Sequence, residues 1–213
     1  MADLIDAWRA LFARLTPAKD VTDVGRSLIT DWGQAHRKYH NVDHLRDVLA
    51  NVDELADNAA DADLVRLAAW YHDAVYNGRH DDEEKSARRA ESELSALGLE
   101  STSVCEVVRL IRLTASHNPG DGDRNGETLC DSDLAILGMN PERYDAYTKA
   151  IRSEYAHVTD PEFRRGRAAV LEALLAGPKL FRTPIGEQRW EAAARINLAT
   201  ELRELTSEME GSA

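Results

Sequence analysis

Seven histidines occur in the 213 residues, and several stand beside the residue types that hold metal ions. His72 is followed directly by Asp73 inside Leu67-Ala68-Ala69-Trp70-Tyr71-His72-Asp73-Ala74-Val75-Tyr76, a run that is otherwise apolar. Leu64, Ala68 and His72 are four apart, so the imidazole falls on the core-facing side of a predicted helix. A carboxylate taken out of water there needs partners, because burying it alone is costly. A metal ion is one such partner, since neutral imidazole with carboxylate is ordinary coordination for a first-row transition metal. His36, His40 and His44 stand at i, i+4 and i+8 and would share one face if a single helix ran through them. Leu129-Cys130-Asp131-Ser132-Asp133-Leu134-Ala135-Ile136-Leu137 sets two more acids among apolar residues, where Asp131 could cap a helix start and Asp133 point inward.

Taken singly, these residues have plain structural roles. A histidine in an apolar helix is more often a hydrogen-bonded core residue than a ligand, and Asp131 reads at least as readily as an N-cap alone. His36 and His80 read as solvated, and His157, near a helix end, reads as a favourable dipole contact. His44, His72, Asp73 and Asp133 together favour a metal site, because three separate apolar segments each offer a ligand type.

Helices must position them, since nearly every segment has helical period. Trp8, Leu11, Phe12 and Leu15 mark a first helix within Met1 to Leu15, whose interspersed charges suit an amphipathic helix rather than a signal peptide. Val21 to Trp32 and Leu45 to Leu55 mark the next two, and Asp61 to about Tyr76 a fourth. Asp82 to Leu97, Val104 to Ala115, Asp131 to Leu137, Pro141 to about His157, Pro161 to about Leu175 and Arg189 to Met209 follow. Strand and hairpin signals are nearly absent. The expectation is an all-α bundle of roughly nine helices forming one domain over 1–213, with the metal core at about 37–138. His117 to Thr128 reads as a mobile polar loop over the pocket mouth. Within it, Asp121-Gly122-Asp123-Arg124-Asn125-Gly126 imitates the first half of a calcium-binding loop, but the twelfth position is Ser132 rather than glutamate.

Composition narrows the partners. The formal charge of −12 argues against a nucleic-acid polymer and against an anionic membrane surface. Cys105 and Cys130 form no CxxC pair and no disulfide framework, which suits a reducing, cytoplasmic setting. No apolar run reaches the length of a membrane span. Trp190, Ile196, Leu198, Leu202 and Leu205 could finish the core or face a second copy, so a homo-oligomer is left open.

The order His44, His72-Asp73, Asp133 resembles the HD-domain superfamily of metal-dependent phosphohydrolases, and most closely a bacterial branch carrying RxYHNxxH, WxHDxxY, TxxH, DxDLxILG and IRxEY. Those motifs stand here as Arg37 to His44, Trp70 to Tyr76, Thr114 to His117, Asp131 to Gly138 and Ile151 to Tyr155, and the resemblance spans roughly Arg37 to Leu202. Tyr39-His40-Asn41-Val42-Asp43-His44 is also similar to the YHNxxH motif of cyclic-nucleotide phosphodiesterases. The resemblance implies a helical fold and one or two divalent ions (Mn, Fe, Co, Ni, Zn or Mg) held by His44, His72, Asp73 and Asp133. It selects Asp133 over Asp131 as a ligand, makes His40 the proton donor to the leaving oxygen, and points to Glu84 as a catalytic acid. His117 would contact the phosphoryl group or a second ion. Arg37, Arg112 and Arg152 are candidates for phosphate oxygens, whose geometry a guanidinium fork matches, and Arg152 lies inside a family motif. The implied activity is hydrolysis of a small phosphate ester, nucleotides favoured, by hydroxide generated on the metal. The alternatives are a di-iron oxygenase of the same superfamily and a non-catalytic regulatory domain that keeps its metal for folding.

Overall fold

The computed structural model of the chain describes residues 2–17 and 20–210, so Met1 lies outside the described residues. It is all-helical, with no strand among the described residues. The order is α1 (Ala2–Leu15), α2 (Thr22–Trp32), α3 (Val42–Glu54), α4 (Ala62–Tyr71), α5 (Asp82–Ala96), α6 (Ser101–Leu113), α7 (Arg124–Leu134), a short 3-10 turn (Ala135–Gly138), α8 (Pro141–Glu154), α9 (Asp160–Ala176) and α10 (Pro184–Glu210). No helix among these residues is long and apolar enough to cross a membrane.

Two apolar clusters organise the helices. The first joins α1 to α7 through Trp8, Trp32, Trp70, Tyr71 and Ile111. Its indoles stay satisfied in the core, Trp8 donating to the Val21 carbonyl at 2.8 Å and Trp32 to the Trp70 carbonyl at 3.0 Å. Gly25 lets α2 approach α1 closely, since a Cβ there would stand 2.5 Å from the Trp8 ring. The second cluster, with Tyr144, Leu171, Phe181, Trp190 and Leu198, packs the 3-10 turn against α8, α9 and α10. The C-terminal helix thus finishes a core; Leu202 and Leu205 pack against it, while Ile196, 67% exposed, faces outward.

Caps set the starts of the helices that carry the site. Asn41 accepts from the N–H groups of Asp43 and His44 and starts α3, Asp61 caps α4 and Asp123 caps α7. Several expectations change accordingly. No continuous helix passes through His36, His40 and His44; only His44 is helical, and the other two lie in the turns before α3. The helix expected to reach Tyr76 stops at Tyr71, because tertiary bonds take the next peptide groups. Arg37 donates to the Asp73 and Ala74 carbonyls and Val75 N–H donates to Ser86. The expected loop 117–128 ends at Asp123, and the calcium-like sequence is spent on capping: Asp123 takes the Gly126 N–H, while Asn125 is buried on Asp61 and Glu106. Asp131 does not cap its own helix. It sits buried in α7 and accepts the N–H groups of Arg182 and Thr183, holding the start of α10.

Candidate metal centre

Three helices bring three donors together. His44 comes from the first turn of α3, His72 from the residue that closes α4, and Asp133 from the last turn of α7. One ligand atom of each lies within 4.8 Å of the other two. His44 Nε2 stands 3.3 Å from His72 Nε2 and 3.1 Å from Asp133 Oδ1, and His72 Nε2 is 3.5 Å from the same oxygen. Asp73 adds an oxygen 3.2 Å from His72 Nε2. Trp32 and Tyr39 wall the imidazoles, with ring centroids 5.4 Å from His72 and 4.7 Å from His44.

The donor set fits a cation. His72 Nδ1 lies 2.9 Å from the Ala69 carbonyl, which can only accept, so Nδ1 carries a proton. In neutral His72 the lone pair is then on Nε2 and faces the oxygens of Asp73 and Asp133. That arrangement is repulsive unless a proton or a metal ion occupies the centre, and a second hydrogen bond fixing the tautomer is the usual setting of a ligating histidine. The same electrostatics push the titrations apart. Burial favours neutral His44 and lowers its pKa despite Asp133. Burial would lower His72 too, but Asp73 and Asp133 outweigh it and hold that pKa well above the ordinary value. Burial works against both carboxylates, yet His72 holds each below the usual carboxylate range, helped at Asp133 by bonds from His117 and His44.

Two further histidines border the centre. His117 Nε2 is 2.8 Å from Asp133 Oδ2. His117 is reached by a left-handed residue conformation, φ 48°, one turn beyond α6. His40 stacks on Tyr76 at 4.2 Å, 5.6 Å from the His44 ring, and its Nδ1 bonds Glu154 Oε2 at 2.7 Å. Glu154, the last residue of α8, also accepts the backbone N–H groups of Lys38, Tyr39 and His40 and the Tyr76 hydroxyl. Burial opposes its charge, but His40 and these N–H groups depress its pKa to about 2. It therefore fixes both the backbone and the ring of His40. Glu154 stands in the IRxEY segment two residues after Arg152, and 114 residues from His40.

The other expected site residues lie elsewhere. Arg37 is buried, stacked over Trp32 and Tyr76, and its guanidinium is committed to the carbonyls of His40, Asp73 and Ala74. It braces the ligand-bearing turn instead of presenting a fork to phosphate. Arg152 caps the end of α8 through the Tyr155 and Val158 carbonyls and pairs with Asp160. Glu84 points outward to Arg112 and Arg88, which lower its pKa to about 2 and also occupy Arg112. Its neighbour Glu83 is half-buried, and burial and then the charges of Asp73 and Asp82 raise its pKa. Helical phase, one residue earlier in Glu83-Glu84-Lys85-Ser86, separates the two. No family model, curated protein or solved structure matches the chain.

Proposed function

We propose that this chain is a metal-dependent phosphohydrolase of the HD-domain kind, acting on a small phosphate ester, with nucleotides the first class to test. The observation that carries the reading is the convergence of His44, His72 and Asp133, with Asp73 adjoining, in a centre whose acids pair, among the described residues, with histidines and with no arginine or lysine. His44, His72, Asp73 and Asp133 would hold the ion. A bound divalent ion would supply Lewis acidity toward a phosphoryl oxygen and make water acidic enough to act as a nucleophile near neutral pH.

The chain's own side chains account for the rest. Water oxygen forms the new bond to phosphorus while the bond from phosphorus to the alcohol oxygen breaks. His40 is placed to give that departing oxygen a proton. Its Nδ1 is tied to Glu154, which leaves Nε2 for the substrate. Tyr76 holds the ring plane by stacking and holds Glu154 through its hydroxyl. Trp32 and Tyr39 exclude water from the ligand side of the imidazoles. His117 orients Asp133 through its second oxygen.

The test is phosphate release across nucleotides and sugar phosphates, with Mn²⁺, Co²⁺, Ni²⁺, Mg²⁺ and Zn²⁺ supplied in turn. Turnover in at least one metal, lost in Asp73→Ala while the protein stays folded, supports the reading. No turnover in any metal, with Asp73→Ala only unfolding the chain, would favour the non-catalytic domain. A second reading rests on His117, whose position on Asp133 adds a donor of the sort a di-iron oxygenase needs. Stoichiometric iron with visible absorption and no phosphate release would select it.

A further inference from the structure

Among the described residues only α10 packs extensively on α9. Of the 17 residues of α9, Ala168 and Leu171 alone are buried. Its opposite face exposes Gly166, Ala169, Val170, Ala173 and Ala176, with no charge among them. Val170, 50% exposed, is one of three exposed large hydrophobic side chains among the described residues. Gly166 is the harder residue to explain. Three other glycines stand inside α-helices, and each is required by a neighbour: a Cβ would meet Trp8 at Gly25, Asp123 at Gly126 and Asp131 at Gly186. At Gly166 a Cβ would meet nothing within 4 Å. A glycine inside a helix is destabilising relative to alanine, and nothing within the chain recovers that loss. The close approach of a second backbone would.

The flanking charges identify that second backbone. Gly166, Ala169, Ala173 and Ala176 recur at the alternating three- and four-residue intervals along which two helices meet. On that seam Arg165 and Glu172 share one flank and Val170 lies on the other. Neither Arg165 nor Glu172 makes a hydrogen bond or an ion pair among the described residues, although Arg165 acts electrostatically on Glu162. Parallel packing of two copies would set the charged flank against the opposite one, with Arg165 and Glu172 meeting Val170 and Gly177. Antiparallel packing about a two-fold axis sets the flank against itself. In the register that stacks Gly166 on Ala169 of the second copy, Arg165 falls opposite Glu172 of the second copy, and Glu172 opposite its Arg165. The same register brings Val170 onto Val170 of the second copy. Glu162 ends the seam, already bonded to Thr159.

We propose that the outer face of α9 docks on the same face of a second copy of this chain, antiparallel and two-fold symmetric, with Gly166 at the closest approach and Arg165 paired with Glu172 on both sides. Burial of Val170 and the alanines stabilises the contact, and the two charge pairs fix its direction and register. The proposal stands independently of the phosphohydrolase reading.

Sedimentation equilibrium of the full chain tests it. The wild type is expected to dimerise with a Kd on the order of 10–100 µM, weak because one helix about 25 Å long offers less than the roughly 1,200 Å² of a standard interface. Arg165→Glu and Glu172→Arg should each weaken self-association at least about 10-fold, because each leaves like charges facing on both sides. An equimolar mixture of the two variants should associate again, within about 3-fold of the wild type, since each supplies the charge that the other lacks. Variants that had merely lost their fold would not recover on mixing. Gly166→Leu should fail to dimerise, yet at about 1 µM, where every form is monomeric, it should melt no lower than the wild type, because leucine there meets open space and favours the helix. A wild type that stays monomeric up to about 500 µM, charge reversals that leave a dimer intact, or a mixture that does not associate overturns the proposal.

Discussion

Two largely buried charged clusters among the described residues are built on opposite principles. In the C-terminal cluster Arg167 of α9 makes a bidentate pair with Glu201 of α10 at 2.7 and 3.0 Å, and the hydroxyls of Tyr147 and Tyr144 complete it. One cation meets one anion, and each has a tyrosine hydroxyl as a further partner. In the metal centre Asp73 and Asp133 meet three histidines and neither is bonded to an arginine or lysine among the described residues. The nearest guanidinium, Arg37, is turned onto backbone carbonyls. The first cluster is complete as protein; the second gathers imidazoles and carboxylates that could hold a metal ion. Burial alone does not distinguish structure from function here, whereas saturation of the partners does. The clusters also touch through Tyr39, which packs on both His44 and Tyr147 at 4.7 and 4.6 Å.

Removing one member from each cluster should break this contrast most forcefully. Asp133→Ala is expected to weaken divalent-ion affinity by more than about 100-fold, beyond the range seen for the outer partners of metal sites, and to abolish metal-dependent turnover. Equilibrium dialysis with metal analysis checks it. Arg167→Ala strands the Glu201 carboxylate in the core and should cost about 3–5 kcal/mol, read as a fall in melting temperature of about 2–4 °C per kcal/mol for a chain of this size. Its metal stoichiometry should stay at the wild-type value. Loss of metal in Arg167→Ala, or undiminished metal in Asp133→Ala, would erase the distinction.

Glu154 offers a subtler break, because it serves the site without belonging to the ligand set. Glu154→Gln keeps the shape and removes the charge that holds His40, so turnover should fall roughly 10-fold or more with metal content unchanged. The pH dependence has a defined sign. A carboxyl whose pKa drops from 4.5 to about 2 on folding stabilises the fold above its unfolded value, and that contribution is lost as pH falls through about 2. Acid unfolding followed by circular dichroism should therefore be shallower between about pH 4.5 and 2 in Glu154→Gln than in the wild type. The smallest effect is expected at Glu84, whose exposed pairs with Arg88 and Arg112 are screened by solvent. Glu84→Gln should leave turnover within about 2-fold of the wild type, whereas a large loss would return this acid to the active machinery.

These contrasts follow how legible each part of the chain is. Helical period marks nearly every element, because each helix buries one stripe, as Leu45, Val48 and Val52 do on α3. The separate ligands were legible for a related reason: His72 and Asp133 interrupt apolar sequence that packing would otherwise fill. Relations over long sequence distance were not. Glu154 reaches His40 across 114 residues, and nothing local to either announces the bond. The end of α4 depends on Arg37, a side chain 36 residues away that claims the Asp73 carbonyl. Asp131 reads locally as a cap, but its carboxylate holds the N–H groups of Arg182 and Thr183 just ahead of α10, where Thr183 takes the Gly186 N–H. Arginine was the least legible residue type. A guanidinium suits phosphate, carboxylate and backbone carbonyl alike, and in Arg37 and Arg152 the carbonyls of nearby turns claim it.

The central claim is that the cluster of His44, His72 and Asp133 is incomplete without a divalent ion. Calorimetric titration of chelator-stripped protein with Mn²⁺, Fe²⁺, Co²⁺, Ni²⁺, Zn²⁺ and Mg²⁺ tests it most directly. The account predicts at least one ion bound per chain for one or more of these metals, with that binding lost in both His72→Ala and Asp133→Ala. Stripped wild-type protein that takes up none of the six, or variants that bind as the wild type does, would contradict it.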